Sequence, residues 1–182
     1  MKPKLYDKNF TEILSSQTIS IIGGIIAGII LASYTDKLLL IPGVLITLPA
    51  FLDMRGNISG SMASRLSSGM FLGIIKTKKS NTPILRGNII ASFILAGIIS
   101  LFLGLTAFVF SWLVSHVLFP RIILIFFFAG IIANLIEIPL AIYTTFYLYK
   151  NGYDPNNIFG PFVTSTGDIT SVLSLLMALM II

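Results

Sequence analysis

Long apolar runs, uninterrupted by charge, dominate this sequence, and each approaches the length a helix needs to cross a bilayer. A spanning helix takes about 20 mostly apolar residues. Hydrocarbon cannot satisfy an open sheet edge or an exposed loop, so runs of this kind fold as helices. Composition agrees: 55% of the 182 residues are hydrophobic and 10% charged, where soluble domains carry about 25% charged residues. The expected fold is an all-α integral membrane protein of five transmembrane helices, multi-pass in the cell membrane.

Residues 1–17 read as a polar, cytoplasmic or interfacial N-terminal segment, with Phe10, Ile13 and Leu14 marking a short amphipathic stretch. Asp7 and Glu12 dilute its positive charge, so it reads as retained rather than as a cleaved leader. Residues 18–182 make the five-helix membrane domain. The first span covers 18–33 and holds the small-xxx-small pair Gly24 and Gly28, which suits close helix packing within one subunit or at a dimer contact. The second segment, 38–75, is too long for one ordinary span. Pro42, Pro49, Gly56 and Gly60 interrupt it, which predicts a bent helix or two half-helices meeting near Gly56. The remaining spans cover 89–114, 121–149 and 159–182.

The net charge is +5, and the basic residues sit at segment ends, where they set topology rather than bind nucleic acid. With the N-terminus inside, cytoplasmic parts hold Lys2, Lys4, Lys8, Lys76, Lys78, Lys79, Arg86 and Lys150; external parts hold Lys37 and Arg121. An inside N-terminus and an outside C-terminus follow. The chain has no cysteine and a single histidine, His116. Disulfide scaffolds, thiol catalysis and a histidine-rich zinc site within one chain are therefore excluded.

Three of the seven acidic residues, Asp53, Glu137 and Asp168, fall inside apolar segments. A carboxylate at the bilayer centre costs about 2.5–3.5 kcal/mol on insertion scales, and such residues usually mark an ion path or a proton relay. At about 1.5 Å per residue, Asp168 lies roughly 13 Å into its helix and Asp53 roughly 22 Å into its own, both in the inner half of the core. Glu137 falls near the middle. Similar depth predicts one shared cavity. Thr164, Ser165 and Ser171 share a helical face with Asp168, Asn57 with Asp53, and Asn134 with Glu137. Oxygen ligands on facing helices suit hard cations such as magnesium. Structural roles compete at three positions. Asp53 could pair with Arg55 or Arg65, Glu137 could be protonated and hydrogen-bonded between helices, and Thr164 could bond its own backbone. Asp168 has no cationic residue nearby in its segment.

Two stretches carry a family resemblance. LPAFLDMRGNISGSMASRLSS, residues 48–68, resembles the second membrane helix of MgtE-type magnesium transporters and of solute carrier family 41, with its proline, Gly-Asn pair and distant arginine. GPFVTSTGDITSVLSLLMAL, residues 160–179, is similar to that family's last membrane helix. The resemblance implies a homodimer with a cation pathway at or near the subunit interface and Asp168 as the main metal-binding residue. It places the Gly-Asn pair at Gly56 and Asn57. Asp53, Glu137 and Thr164 join the candidate metal ligands on burial and helical spacing alone. About 17 residues precede the first span and the repeat occurs once. The expectation is that no cytoplasmic sensor gates the pathway and that two copies pair.

The expected cargo is Mg2+, with Mn2+, Co2+ and Ni2+ as further candidates; no cofactor is expected, and the partners are the bilayer and a second copy. Two other readings compete. A membrane enzyme acting on lipid headgroups needs acidic or histidine residues close together, whereas Asp53 has no second acidic residue within one turn. A non-transporting scaffold needs no convergence of its polar groups.

Overall fold

The computed structural model describes residues 8–41, 43–76 and 82–182. Among them the chain forms six helices and no strand: α1 (Lys8–Ser33), α2 (Thr35–Leu39), α3 (Val44–Phe71), α4 (Pro83–Ser115), α5 (Arg121–Lys150) and α6 (Pro155–Ile181). Pro42, Asp7 and four of the basic topology residues, Lys2, Lys4, Lys78 and Lys79, lie outside the described residues. Four helices, α1, α4, α5 and α6, are long and apolar enough to cross a membrane. The fifth long helix, α3, has 28 residues, and Asp53, Arg55, Asn57 and Arg65 dilute its apolar character.

Helix starts follow local chemistry. The Thr82 hydroxyl accepts from the Leu85 N–H at 3.3 Å to cap α4, and the Asp154 carboxylate accepts from the Asn156 N–H at 2.9 Å to cap α6. A proline follows each cap, where its missing N–H breaks no helical bond.

The long second segment corrects the expectation of a break near Gly56. Helix α3 runs without interruption through Pro49, Gly56 and Gly60. The chain turns earlier, between α2 and α3, where Gly43 adopts φ +84°. A Cβ on Gly43 would collide with the Ala107 carbonyl of α4, so this position combines a left-handed backbone with a close approach. A glycine inside a helix costs only about 1 kcal/mol. Gly56 and Gly60 sit within an unbroken helix, facing Thr164 and Val163 of α6.

Helix α3 packs against α4, α5 and α6, while α1 leans on α6. Two apolar clusters fill the interior. One gathers Phe51, Met54 and Ile58 of α3 with Phe126 and Ala129 of α5 and Leu175 of α6. The other gathers Met62, Leu66 and Met70 with Ile138, Phe146 and Phe159. Phe51 meets Phe126 edge-on at 5.3 Å. In sequence, buried polar residues fall between the two clusters on each helix: Ser59 on α3, Asn134 and Glu137 on α5, Ser165 and Ser171 on α6; Arg55 is buried within the first cluster's stretch of α3.

Helix α1 continues unbroken from Lys8 through the expected first span. It buries Glu12, Ser16 and Ala27 and otherwise presents isoleucines outward. Gly23, not the Gly24/Gly28 pair, makes the close approach: a Cβ there would meet Ser165 of α6, whereas Gly24 and Gly28 have nothing within 4 Å. A polar clasp holds the start of α1 to the start of α6. Asn157 donates to the Glu12 carboxylate at 3.0 Å, the Ser16 hydroxyl donates to the Asn157 carbonyl at 3.2 Å, and the Lys8 ammonium donates to the Gly152 carbonyl at 2.5 Å.

Candidate functional site

The site is a seam between α3 and α6. Gly60 faces Val163, Gly56 faces Thr164, and Gly167 lies where a Cβ would stand 2.8 Å from the Arg55 Cβ, so the helices run antiparallel in close contact. Four of the five sequence candidates line this seam. Asp53, Asn57 and Thr164 are exposed and Asp168 is half-buried. The Asn57 amide donates to the Asp53 carboxylate at 2.7 Å. Asp53 and Asp168 stand close enough across the seam for their charges to repel. Thr164 donates to the Gly160 carbonyl one turn back at 3.0 Å, leaving its oxygen lone pairs outward.

The exposed edge of α3 continues the polar character. Asp53, Asn57, Ser61, Ser64, Arg65 and Ser68 are all exposed, at the three- and four-residue spacings that form one stripe. Arg65 folds back along it, donating to the Ser61 carbonyl at 3.1 Å and to its hydroxyl at 3.3 Å. A recess of about 340 Å³ lies on the same seam, between Gly60, Ala63 and Ser64 of α3 and Pro155, Asn156, Phe159 and Gly160 of α6.

Glu137 is placed apart. It is fully buried on α5, and the Thr170 hydroxyl of α6 donates to it at 2.9 Å. Arg55 and Asp168 both lie near enough to act on it through space. Arg55 is also fully buried. Its guanidinium donates to the Asn134 side-chain oxygen at 2.6 Å and to the Gly130 carbonyl at 3.2 Å. Asn134 in turn donates to the Ser92 carbonyl of α4 at 3.0 Å. The guanidinium lies 5.5 Å over the Phe51 ring. Arg55 thus ties α3 to α5, and through Asn134 to α4.

The alternative pairing of Asp53 with Arg55 or Arg65 is not what forms. Residues two apart on a helix point to different sides, so Arg55 turns inward while Asp53 turns outward. Ser165 and Ser171, expected on the Asp168 face, are buried instead; Ser165 donates to the Phe162 carbonyl at 3.0 Å. The sequence reading missed Thr170 and Gly167. For Thr170 a signal existed: its offset of two from Asp168 turns it toward the other side of α6. For Gly167 none did, because close approach depends on the partner helix.

Comparison with known proteins extends this picture. A family model described as MgtE, a divalent cation transporter, matches residues 48–178. The chain is similar to solute carrier family 41 member 2 of Gallus gallus, 23% identical over 160 residues, covering 82% of this chain and 27% of that protein. It is also similar to solute carrier family 41 member 2 of Mus musculus, 23% identical over 137 residues, covering 71% of this chain and 23% of that protein. The chain therefore spans about a quarter of the length of these curated relatives. No solved structure matches it.

Proposed function

The chain belongs to the MgtE divalent cation transporter family, and on that premise we propose that it carries divalent cations, Mg2+ foremost, across the cell membrane along the α3–α6 seam. It is a multi-pass membrane protein of a transporter family, not of an enzyme family. The observation that carries the reading is the exposed polar stripe of α3. Elsewhere in the bundle α1 and α4 present isoleucine, leucine and phenylalanine outward. Carboxylates and amides are costly against hydrocarbon, so the stripe belongs against water or protein. In this reading α3 is the fifth span, the N-terminus is inside and the C-terminus outside.

Asp168 is the main ion-binding carboxylate. Asp53, Asn57 and Thr164 contribute further oxygens. Glu137 acts from behind, bracing α6 through Thr170. Among the described residues no three acidic or histidine side chains gather into a metal-binding group, so within one copy the seam offers two carboxylates with amide and hydroxyl oxygens beside them. A homodimer that brings two seams together would double the two carboxylates of one copy. Magnesium dehydrates reluctantly and keeps several waters. The 340 Å³ recess holds roughly ten waters at about 30 Å³ each, enough for a hydrated ion. Mn2+ and Co2+ fit the same oxygen chemistry.

The test is flux into proteoliposomes containing a magnesium-sensitive dye. Asp168→Ala should reduce Mg2+ entry to the protein-free background while the protein still elutes as the wild-type assembly. Wild-type flux from a well-folded Asp168→Ala protein overturns the proposal.

A further inference from the structure

A large cavity lies away from the seam, between α4 and α5. It is a groove of about 650 Å³. Its walls are almost wholly apolar, with Phe93 of α4 and Leu135 and Pro139 of α5 among them. Three polar groups sit on its α5 wall near one end: Tyr143, Tyr147 and Lys150. Their spacing of four and three residues places them on one face of the helix. Among the described residues, neither tyrosine hydroxyl nor the Lys150 ammonium has a hydrogen bond or an ion pair, whereas the neighbouring Tyr149 hydroxyl donates to the Met70 carbonyl at 3.1 Å. Tyr143 and Tyr147 stack on each other at 6.1 Å, both more than half exposed.

We infer that this groove binds an anionic phospholipid, with an acyl chain along the apolar wall and the phosphate at Lys150, Tyr147 and Tyr143. The shape of the ligand follows from the lining. An apolar channel ending in a cation and two hydroxyl donors complements an amphiphile with an apolar tail and an anionic head. The length agrees as well. Leu135 to Lys150 spans about 22 Å of helix, against about 15 Å for one leaflet of the hydrocarbon core plus its headgroup layer. Lysine at a span end and tyrosine at headgroup depth suit an interface position. Anionic headgroups attract such a cation, while zwitterionic ones offer it no net charge. Pro139 shapes the groove: it has no N–H for the Leu135 carbonyl, and a proline inside a helix bends it. The site involves neither α3 nor α6, so it rests on the membrane reading and not on the cation seam.

The experiment places a tryptophan reporter in the groove. The chain has one tryptophan, Trp112, nineteen residues or about 28 Å along α4 from Phe93. The doubly substituted Trp112→Phe, Phe93→Trp protein is reconstituted in phosphatidylcholine vesicles. These contain equal mole fractions of either brominated phosphatidylglycerol or brominated phosphatidylcholine. Brominated phosphatidylglycerol should quench the reporter several-fold more strongly, and adding Lys150→Glu should abolish the difference. Wild-type Trp112 should be quenched equally by both lipids. Equal quenching at position 93, or a preference that survives Lys150→Glu, overturns the inference. So does the absence of quenching by either lipid, which would mean that protein covers the groove. A second measurement needs no reporter. In native mass spectrometry, wild-type protein should retain phosphatidylglycerol and Lys150→Glu should lose it. Equal retention counts against the site.

Discussion

Helices α3 and α4 are packed against each other and organised in opposite senses. On α4 the buried positions include Ser92, Ala96, Ser100, Gly104, Ala107 and Ser111, small residues mostly four apart, while Ile90, Ile94, Ile98, Phe102, Leu105 and Val109 face outward. That is the pattern of a helix in lipid, where small residues allow backbones to approach and apolar ones meet acyl chains. On α3 the buried positions are Phe51, Met54, Ile58, Met62, Leu66 and Met70, while Asp53, Asn57, Ser61, Ser64 and Ser68 face outward. That is the pattern of a helix at a water boundary. One bundle thus holds two helices whose outer faces suit different surroundings. The difference sets the outer face of α3 apart as the side that belongs against water or protein, without reference to any bound ion.

The largest effect concerns the one charge that α3 turns inward. A hydrogen bond to a charged group contributes about 1.5–3 kcal/mol, and the buried Arg55 guanidinium makes two, to the Asn134 side-chain oxygen and the Gly130 carbonyl. Arg55→Ala should therefore lower the thermal midpoint in detergent by far more than Arg65→Ala, whose side chain lies exposed along its own helix. Pairing Arg55→Met with Glu137→Gln should recover much of the loss. Equal destabilisation by the two alanine substitutions would remove Arg55 from any structural role. Next in size is a charge placed on each outer face. Ile98→Asp on α4 should cost about 2.5–3.5 kcal/mol, the insertion cost of a carboxylate at mid-membrane, and should cut the yield of membrane-inserted protein. Ser64→Asp on α3 should be tolerated. Similar yields would erase the distinction between the helices.

A gentler probe uses the absence of cysteine from the chain. Single Ser64→Cys and Ile98→Cys proteins can be compared with a charged thiol reagent. Because the thiolate is the reacting species and needs water to form, Ser64→Cys should react at least roughly tenfold faster. Equal rates would place both faces in the same solvent.

Much of the helical layout was legible from run length, because hydrocarbon leaves few alternatives to a helix. The ends of α5 and α6 fall within a few residues of the expected spans. The site was legible where helical spacing decides it: Asp53 with Asn57, and Thr164 with Asp168. What stayed hidden depended on a second helix. Gly56 reads as a break until α6 is seen packed against it. Arg55 reads as a partner for Asp53 until Asn134 is seen to accept its hydrogen bond. Glu137 reads as one more pathway carboxylate, and its burial against Thr170 becomes visible only once α5 and α6 are docked. Periodicity reveals which residues share a face; which neighbour that face meets is a property of the assembled bundle.

The smallest effect is expected at Asn57, where the polar face of α3 meets the acidic end of the seam. Its amide donates to the Asp53 carboxylate at 2.7 Å, and a hydrogen bond to a charged group contributes about 1.5–3 kcal/mol. Replacing the amide by an alkyl group frees Asp53 and removes one oxygen from the path. Both changes act on a passing cation more than on the fold, because an exposed substitution usually shifts stability by no more than about 0.5 kcal/mol. Asn57→Leu should therefore lower Mg2+ flux in proteoliposomes by about tenfold, the equivalent of about 1.4 kcal/mol, with the thermal midpoint unchanged. Asn57→Gln, which keeps the amide one methylene further out, should fall between the two. Unchanged flux in Asn57→Leu would separate the polarity of α3 from transport, and the stripe would then mark only the face that a second copy covers.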